Sequence, residues 1–306
     1  MKKFLFVFMV LLAVGCNSDS NDDTHNDPPG DTTDDGVDPT DDGQGQAGTD
    51  LIRYTHTTFN QFPEPEDIIF DFNQNGSIDR FKFEFNNGSS TGYDQYVYDQ
   101  EERLTKIDHY SDSGDFEVIR VAYNYDAQGR LLSMIDYASQ GVDNPRTTNF
   151  SWDGNTVNFE QEVTGKTGYV IFDSSNRILE TNHNSGPEQF TRSELTYDSN
   201  GLLVEVNNYV NDQLSYTVTL EYDDQTNPLY PAYSSNPLVY LSQGIYDFDF
   251  TGTIKPYSMH NVIRELIPGI ENRDDQTTYQ YNSEGYPTMG TTQRNGTLRA
   301  EHKFDY

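Results

Sequence analysis

From residue 51 onward, apolar and polar residues alternate along short runs of the chain. Every second residue of the segment 216–222 is aromatic or aliphatic, and the residues between them are Thr, Thr and Glu. Phe81, Phe83 and Phe85 alternate with charged residues in the same way. A period of two is typical of β-strands with one buried face. Because turn-forming residues separate the runs, the pattern predicts a mainly all-β domain.

The turns between these strands share a motif, in which an aromatic residue precedes Asp, and Gly or Asn and then an aliphatic residue follow. The fullest copy runs from Tyr125 and Asp126 through Gly129 and Arg130 to Leu131. Further copies begin at Tyr98, Trp152, Phe172, Tyr197, Tyr222 and Tyr281. The period of about 25 residues suits one β-hairpin with its connection. The repeat therefore predicts a curved antiparallel sheet of consecutive β-hairpins.

Each motif position has a structural reason. The Asp side chain accepts backbone N–H groups within the turn, and Gly or Asn supplies a residue with positive φ. The segment from Tyr125 to Leu131 resembles the YD-repeat, or Rhs-repeat, pattern. Residues 70–306 as a whole are similar to small YD-repeat-like bacterial lipoproteins of unknown function. This resemblance implies a fold built from hairpins, and it implies no particular reaction.

One segment departs from the repeat. Between residues 226 and 275 the aromatic–Asp turns stop, and apolar residues follow the i, i+3, i+4 spacing of one helix face at Met259, Val262, Ile263, Leu266 and Ile267. Ser258 is a suitable N-cap and Pro268 a suitable stop. The spacing predicts one short helix near 258–267 that plugs the concave face of the sheet.

The first residues resemble the signal peptide of a bacterial lipoprotein. Lys2 and Lys3 precede eleven apolar residues, which is the length of a signal-peptide core and too short to span a bilayer. Small residues then lead to Cys16, the only cysteine of the chain. The resemblance implies that residues 1–15 are removed and that Cys16 is lipidated. Several acyl chains give a stable membrane anchor.

Residues 16–50 read as the lipidated cysteine followed by an acidic tether. Residues 17–50 carry eleven Asp and no Lys, Arg or aromatic residue, so they cannot bury enough apolar surface to order themselves. Residues 51–306 form the predicted YD-repeat-like β domain. Asn17 follows the cysteine, where Asp would retain a lipoprotein at the inner membrane. We therefore expect an outer-membrane location, with the domain at the cell surface or, as the alternative, on the periplasmic face.

One turn also fits a calcium loop. Oxygen-bearing residues stand at the first, third, fifth, seventh and ninth positions, with Gly at the sixth, in the set Asp71, Asn73, Asn75, Ser77 and Asp79. The twelfth position holds Lys, where an EF-hand has a bidentate Glu, and strands flank the loop on both sides. The alternative is a polar hairpin turn with no ion. Structural calcium is the single cofactor that the sequence suggests.

Composition limits the remaining functions. The net charge is −31, with 50 acidic residues against 19 Lys and Arg, which argues against nucleic acid as a partner. No two of the six histidines lie at metal-ligand spacing, and no catalytic motif is present. We therefore predict a non-catalytic binding or scaffolding role, with an envelope protein or a glycan as partner. The alternatives are a glycan-binding accessory of polysaccharide uptake and a hydrolase that uses a carboxylate pair.

Overall fold

The residues that the structure describes form eighteen antiparallel β-strands. The computed structural model describes residues 51–59, 66–85, 90–137, 145–186, 189–234, 237–239, 258–270 and 273–306. In chain order the strands are β1 Arg53–Thr58, β2 Glu66–Phe72, β3 Ile78–Phe85, β4 Ser90–Tyr98, β5 Leu104–Tyr110, β6 Phe116–Tyr125, β7 Leu131–Asp136, β8 Arg146–Asp153, β9 Thr156–Gln161, β10 Thr167–Phe172, β11 Ile178–Gly186, β12 Gln189–Tyr197, β13 Leu203–Val210, β14 Gln213–Thr226, β15 His260–Leu266, β16 Asp274–Tyr281, β17 Pro287–Arg294 and β18 Thr297–Asp305.

The sheet closes on itself. Each strand pairs with its neighbours in sequence, and β1 pairs with both β2 and β18. The all-β class and the succession of hairpins are therefore confirmed, but the curved sheet is a closed eighteen-stranded barrel. Closure removes the two free edges, whose unpaired N–H and C=O groups would otherwise invite another chain to pair with them.

The connections alternate between the two ends of the barrel. The end that we call the motif end carries the connections that follow the even-numbered strands, and most of these are aromatic–Asp turns. The start of β1 and the end of β18 also lie there, because Arg53 pairs with Asp305. The opposite end, here called the far end, carries the connections that follow the odd-numbered strands.

The aromatic–Asp turns have the geometry that their residues predict. Oδ1 of Asp126 accepts hydrogen bonds from the backbone N–H groups of Gln128 and Arg130, both at 2.9 Å. Oδ2 accepts a hydrogen bond from Nε–H of Arg130 at 2.7 Å. Gly129 has φ of 75°, which a residue with a side chain rarely adopts. The turns at Asp99 and Asp173 repeat the three contacts.

The aromatic residue of most of these turns connects one hairpin to the previous one. The Tyr125 hydroxyl donates to the carbonyl oxygen of Leu104 at 2.7 Å, and Leu104 is the first residue after the preceding turn. The same bond recurs from Tyr98, Trp152, Tyr197, Tyr222 and Tyr306 to the matching carbonyls. We call this series the aromatic ladder. It explains why an aromatic residue with a donor group occupies the position.

The arginine of a turn also reaches the next hairpin. Arg103 lies over the ring of Tyr125 with 5.3 Å from its guanidinium carbon to the ring centroid, and Arg177 lies over Tyr197 at 4.6 Å. A guanidinium over an aromatic face contributes a cation–π attraction. The motif residues are therefore used structurally, both within their own turn and between neighbouring hairpins.

The prediction of a helix near 258–267 is wrong, because residues 260–266 form strand β15 between β14 and β16. Asn261 and Val262 are adjacent, yet both are buried, so this strand lacks the simple alternation of its neighbours. The Ser258 hydroxyl, expected as an N-cap, instead accepts the N–H of Leu203 at 3.4 Å. The branched side chains of Val262 and Ile263 suit a strand, and pairing with two neighbours overrides the helical spacing.

Helical structure lies instead in the connection between β14 and β15. Helix α1 spans Tyr230–Ser234, and residues 237–239 are also helical. Leu229, Ala232 and Val239 of this connection are buried within the apolar core of the barrel. The plug of the concave side was expected from residues 258–267, so that part of the prediction is wrong too, and helical residues 230–234 and 237–239 pack against the core instead.

The two faces of the barrel wall differ in polarity. Side chains on the inner face form one contiguous apolar cluster that includes Phe70, Leu104, Val157 and Leu203. The outer face carries Thr, Asn, Gln and charged residues, with ion pairs such as that of Arg192 and Glu194, and among them stand exposed apolar side chains such as Leu132. The wall therefore has its apolar side inside and its polar side outside.

Candidate functional site on the inner face of the barrel

Buried polar residues concentrate on one part of the inner face, from the middle of the strands to the far end. In a closed barrel, these side chains converge from many strands that are distant in sequence. Buried polar groups are costly unless they are hydrogen-bonded, so such a concentration is a candidate functional region. Its members are His56, Asp94, His109, Thr148, Gln161, His183, Asn208, Glu265, Asp275, Thr292 and His302.

The most compact group lies where the first and last strands meet. His56 and His302 are directly paired across β1 and β18, and their Nδ1 atoms are 3.1 Å apart. The Tyr54 hydroxyl lies 2.9 Å from Nδ1 of His302. The opposite ring nitrogen of His302 lies 2.9 Å from Oγ1 of Thr292. We call these four residues the seam cluster.

Burial sets the protonation of the seam cluster. His302 is 2% exposed, and burial together with the neighbouring His56 holds the pKa of His302 well below its usual value. His302 is therefore neutral at physiological pH and presents one ring nitrogen as a lone-pair donor. Two imidazoles and a phenol hydroxyl at these distances can share protons or bind a cation.

A second group surrounds Asp94. Its Oδ1 lies 2.7 Å from Nδ1 of His109 and 3.0 Å from Nε of Arg120. Nε2 of His109 lies 3.5 Å from a carboxylate oxygen of Glu117. This arrangement orients an imidazole between two carboxylates, and its four residues include no hydroxyl or thiol nucleophile.

A third group contains an ion pair near the far end. Arg294 donates from Nε to Asp275 at 2.6 Å and from its terminal nitrogen at 2.5 Å, so the pair is bidentate. Hydrogen bonding to Asp275 is the largest cause that raises the pKa of Arg294, and Glu265 also contributes. Glu265 and Asp275 are opposite in register and both are buried, so this group joins two carboxyl groups and one guanidinium.

His183 is a further buried imidazole of the inner face. Thr191 lies directly across from it in register, and the Thr191 hydroxyl is 2.8 Å from Nε2 of His183. Burial, with a smaller contribution from Lys166, lowers the pKa of His183 to about 4. Like His302, His183 is neutral at physiological pH.

The expected calcium loop spans the end of β2 with Asp71, the motif-end turn with Asn73, Asn75 and Ser77, and the start of β3 with Asp79. The N–H of Asn73 donates to the carbonyl of Ser77 at 2.8 Å, and Gly76 has φ of 80°, as in the aromatic–Asp turns. Phe72 and Ile78 take the places of the aromatic and aliphatic motif residues. The loop is thus a further copy of the repeat, which the sequence analysis did not count.

The side chains of this loop have hydrogen-bond and ionic partners. Asp71 accepts from Arg53 at 2.6 Å, and Asp79 accepts from Gln95 at 2.7 Å. Asn75 Oδ1 accepts from the backbone and the hydroxyl of Ser77. Calcium would have to replace these contacts, and calcium binding at residues 71–79 stays a prediction.

The lipidation residue Cys16, the signal peptide and the acidic tether fall outside the residues that the structure describes. Within those residues, no three His, Cys, Asp or Glu side chains gather closely enough to hold a metal. The described helices include none that is long and apolar enough to cross a membrane.

Sequence reasoning missed the seam cluster. The spacing of the six histidines gives no local metal motif, and His56 and His302 are 246 residues apart. The one available signal was that His56 stands at an inward position of the first strand and His302 at an inward position of the last strand. That signal becomes usable only when the sheet is known to close.

No protein-family model matches the sequence, and no curated protein matches it. Comparison with solved structures finds a porin-like protein from Bacteroides vulgatus ATCC 8482, with a TM-score of 0.37 and 12% identity over 84% of this chain and 98% of that chain. A porin-like protein from Bacteroides uniformis ATCC 8492 has a TM-score of 0.35 and 10% identity over the same shares. A TcdB2–TccC3 structure has a TM-score of 0.29 and 13% identity over 80% of this chain and 14% of that chain. At these scores, function must be argued from this chain's own residues.

Proposed function

We propose that this chain is a lipid-anchored protein of the bacterial cell envelope, which holds a non-catalytic β-barrel in water for binding or scaffolding. The observation that carries the proposal is the polarity of the barrel wall. A membrane-spanning barrel has an outward apolar band flanked by aromatic residues and a polar interior. In this barrel the contiguous apolar cluster lies inside, where it includes Phe70 and Val157, and ion pairs such as that of Arg264 and Asp274 lie outside.

Because the outer face of the barrel is polar, the N-terminal segment has to attach the protein to the membrane. Cys16 and the preceding small residues resemble a lipidation site, and a flexible tether of 34 residues has a typical span of about 30 Å. The barrel starts at Arg53 on the motif end, where Arg53 pairs with Asp305. The tether therefore leads to the motif end, which is opposite the far end with its buried polar residues.

A binding role agrees with the use of the motif residues. The carboxylates of Asp99, Asp126 and Asp173 are engaged by backbone N–H groups and by the arginine of the same turn. These contacts account for the most regular acidic positions of the chain without any substrate. We assign the protein to the outer membrane with the barrel at the cell surface.

The test is a membrane fractionation of cells that express the wild type or Cys16→Ala. The substitution should release the protein into the soluble fraction and abolish labelling by radioactive fatty acid. A deletion of residues 20–50 is the matched control, since it removes the tether but keeps Cys16, and it should stay in the membrane. Membrane retention of Cys16→Ala with no fatty-acid label on the wild type would refute the anchor. Protease added to intact cells should degrade the barrel, whereas full protection would assign it to the periplasmic face.

A glycan ligand is the second candidate, and an aromatic group on the barrel favours it. Tyr93 and Tyr110 are opposite in register with stacked rings 5.2 Å apart, and Phe116 contacts Tyr110 edge-on and is 53% exposed. Sugar rings stack on such faces. Binding of cell-wall or plant polysaccharides that is lost in Phe116→Ala and kept in Phe190→Ala, a similarly exposed phenylalanine of β12, would support this candidate.

A further inference from the structure

The seam cluster places three donor atoms at the corners of a small triangle. Nδ1 of His56 and Nδ1 of His302 are 3.1 Å apart. The Tyr54 hydroxyl oxygen is 2.9 Å from Nδ1 of His302 and 3.5 Å from Nδ1 of His56. All three residues are at most 4% exposed. The triangle is nearly equilateral, and its edges are similar to the contact distances around one bound ion.

We propose that Tyr54, His56 and His302 form a binding site for a divalent transition-metal ion of the zinc class. Zinc–ligand bonds of about 2.0–2.1 Å in a tetrahedron separate the ligand atoms by about 3.3–3.4 Å. The three observed separations of 2.9, 3.1 and 3.5 Å bracket this value. Imidazole nitrogens suit zinc, copper, iron and nickel, whereas calcium and magnesium prefer oxygen ligands. The fourth position of the tetrahedron is left for water or another ligand.

Strand register explains how the site arises. Tyr54 and His56 are two residues apart on β1, so their side chains share the inner face. His302 is directly opposite His56 on β18, and residues so placed have Cβ atoms about 4.5–5.5 Å apart. The two imidazole centroids are 4.8 Å apart, and the rings of Tyr54 and His302 are nearly parallel.

A second layer of contacts orients the His302 ligand. Nε2 of His302 is 2.9 Å from the Thr292 hydroxyl, which is 2.8 Å from the hydroxyl of Thr277. When Nε2 carries the proton and donates to Thr292, Nδ1 presents its lone pair to the metal. Metal-binding histidines commonly use their second nitrogen in this way, which fixes the tautomer and the ring orientation.

The surroundings can compensate the charge of the ion. When the metal binds, the Tyr54 hydroxyl gives up its proton to solvent and ligates as a phenolate, while the two imidazoles bind as neutral groups. The site then carries one net positive charge. Asp275 and Arg294 are each two residues along their strands from Thr277 and Thr292, so the carboxyl groups of Asp275 and Glu265 lie on the same inner face as the site.

The test uses the full mature chain and two probes, Zn²⁺ and Co²⁺. After dialysis against a weak chelator, the wild type should retain about one equivalent of zinc. Co²⁺ should give the strong visible absorption of a tetrahedral site. Tyr54→Phe keeps the ring and removes one donor, so it should weaken affinity at least tenfold. His56→Gln should abolish tight binding.

His183→Gln is the matched control, because it removes another buried inner-face imidazole from a strand outside the seam. It also retains the acidic tether and His25, so any diffuse binding there is the same in all variants. Equal zinc retention by the wild type, Tyr54→Phe and His56→Gln would overturn the proposal, as would absence of the tetrahedral cobalt spectrum from the wild type. If His56→Gln does not fold, the Tyr54→Phe comparison alone decides the question.

Discussion

The aromatic ladder predicts a measurable loss of stability when one hydroxyl is removed. In Tyr125→Phe the ring keeps its packing, but the carbonyl of Leu104 loses a donor at 2.7 Å. A hydrogen bond contributes about 1 kcal/mol to stability, and a buried group that loses its partner adds a desolvation cost. Leu104 is 1% exposed, so water cannot replace the hydroxyl. We expect a loss of about 1–2 kcal/mol.

The control for this experiment is Tyr209→Phe on the outer face. The Tyr209 hydroxyl donates to the Glu194 carboxylate at 2.9 Å, and Glu194 is 40% exposed through its side chain. Water can hydrate the Glu194 carboxylate after the substitution, so the expected loss is about a few tenths of a kcal/mol. Phe172 occupies a ladder position without a hydroxyl, which shows that the barrel accommodates one missing bond.

Urea unfolding followed by circular dichroism measures the difference. A loss of 1–2 kcal/mol should also lower the melting temperature by about 3–6 °C in a domain of this size. Tyr197→Phe should behave in the same way, since its hydroxyl donates to Ile178 at 2.9 Å. The two ladder positions are six strands apart, or about 29 Å around the sheet at the usual strand spacing, so their effects should add. The ladder has no stabilising role if both ladder variants lose no more than Tyr209→Phe.

Three further outcomes are expected. Arg177→Lys should lower the free energy of unfolding by about 0.5–1 kcal/mol, because lysine keeps the charge but loses the stack over Tyr197 at 4.6 Å. Full stability of the lysine variant in urea unfolding would show that the stack contributes nothing. Lowering the pH from 7.5 to 5 should destabilise the barrel through His183. The pKa of His183 is about 4 in the folded state and near 6.5 when unfolded, so the unfolded chain takes up the proton first. With allowance for solvent screening, His183 accounts for about 1–2 kcal/mol of the lost free energy of unfolding at pH 5. The free energy of unfolding of His183→Gln, measured at both pH values, should therefore fall by that much less than the wild type's. If residues 71–79 bind calcium with Kd on the order of 10⁻⁴ M, 10 mM calcium should stabilise the protein by about 2.7 kcal/mol and raise its melting temperature. Asp71→Ala should remove that response, and an unchanged response in this variant would leave the loop as a turn only.

The hairpins could be predicted because their signals are local. The contacts of Asp126 with Gln128 and Arg130 lie within one turn, so residue type and spacing determine them. The loop at residues 71–79 shows the limit of such signals. Asn and Gly at fixed spacing serve a calcium loop and a hairpin turn equally well, and only its flanking Phe72 and Ile78 identify the repeat.

The remaining features depend on contacts between distant segments. The apolar spacing around Val262 and Ile263 fits a helix, but pairing with β14 and β16 makes the segment a strand. Closure of the barrel depends on the pairing of Arg53 with Asp305, and no local pattern encodes it. The seam cluster depends on that closure, and it was therefore invisible to spacing rules.

The pairing of β1 with β18 also determines the order in which this protein can assemble. Hairpins form from neighbouring residues and can fold while the chain is being made, because short loops have a low closure entropy. The first strand, however, waits for the last one, whose partner residues lie about 250 positions later. A chain that ends before Thr297 would leave β1 and β17 as open edges, which favour aggregation. Release of the complete C-terminus is thus the step that converts a growing ribbon into a ring.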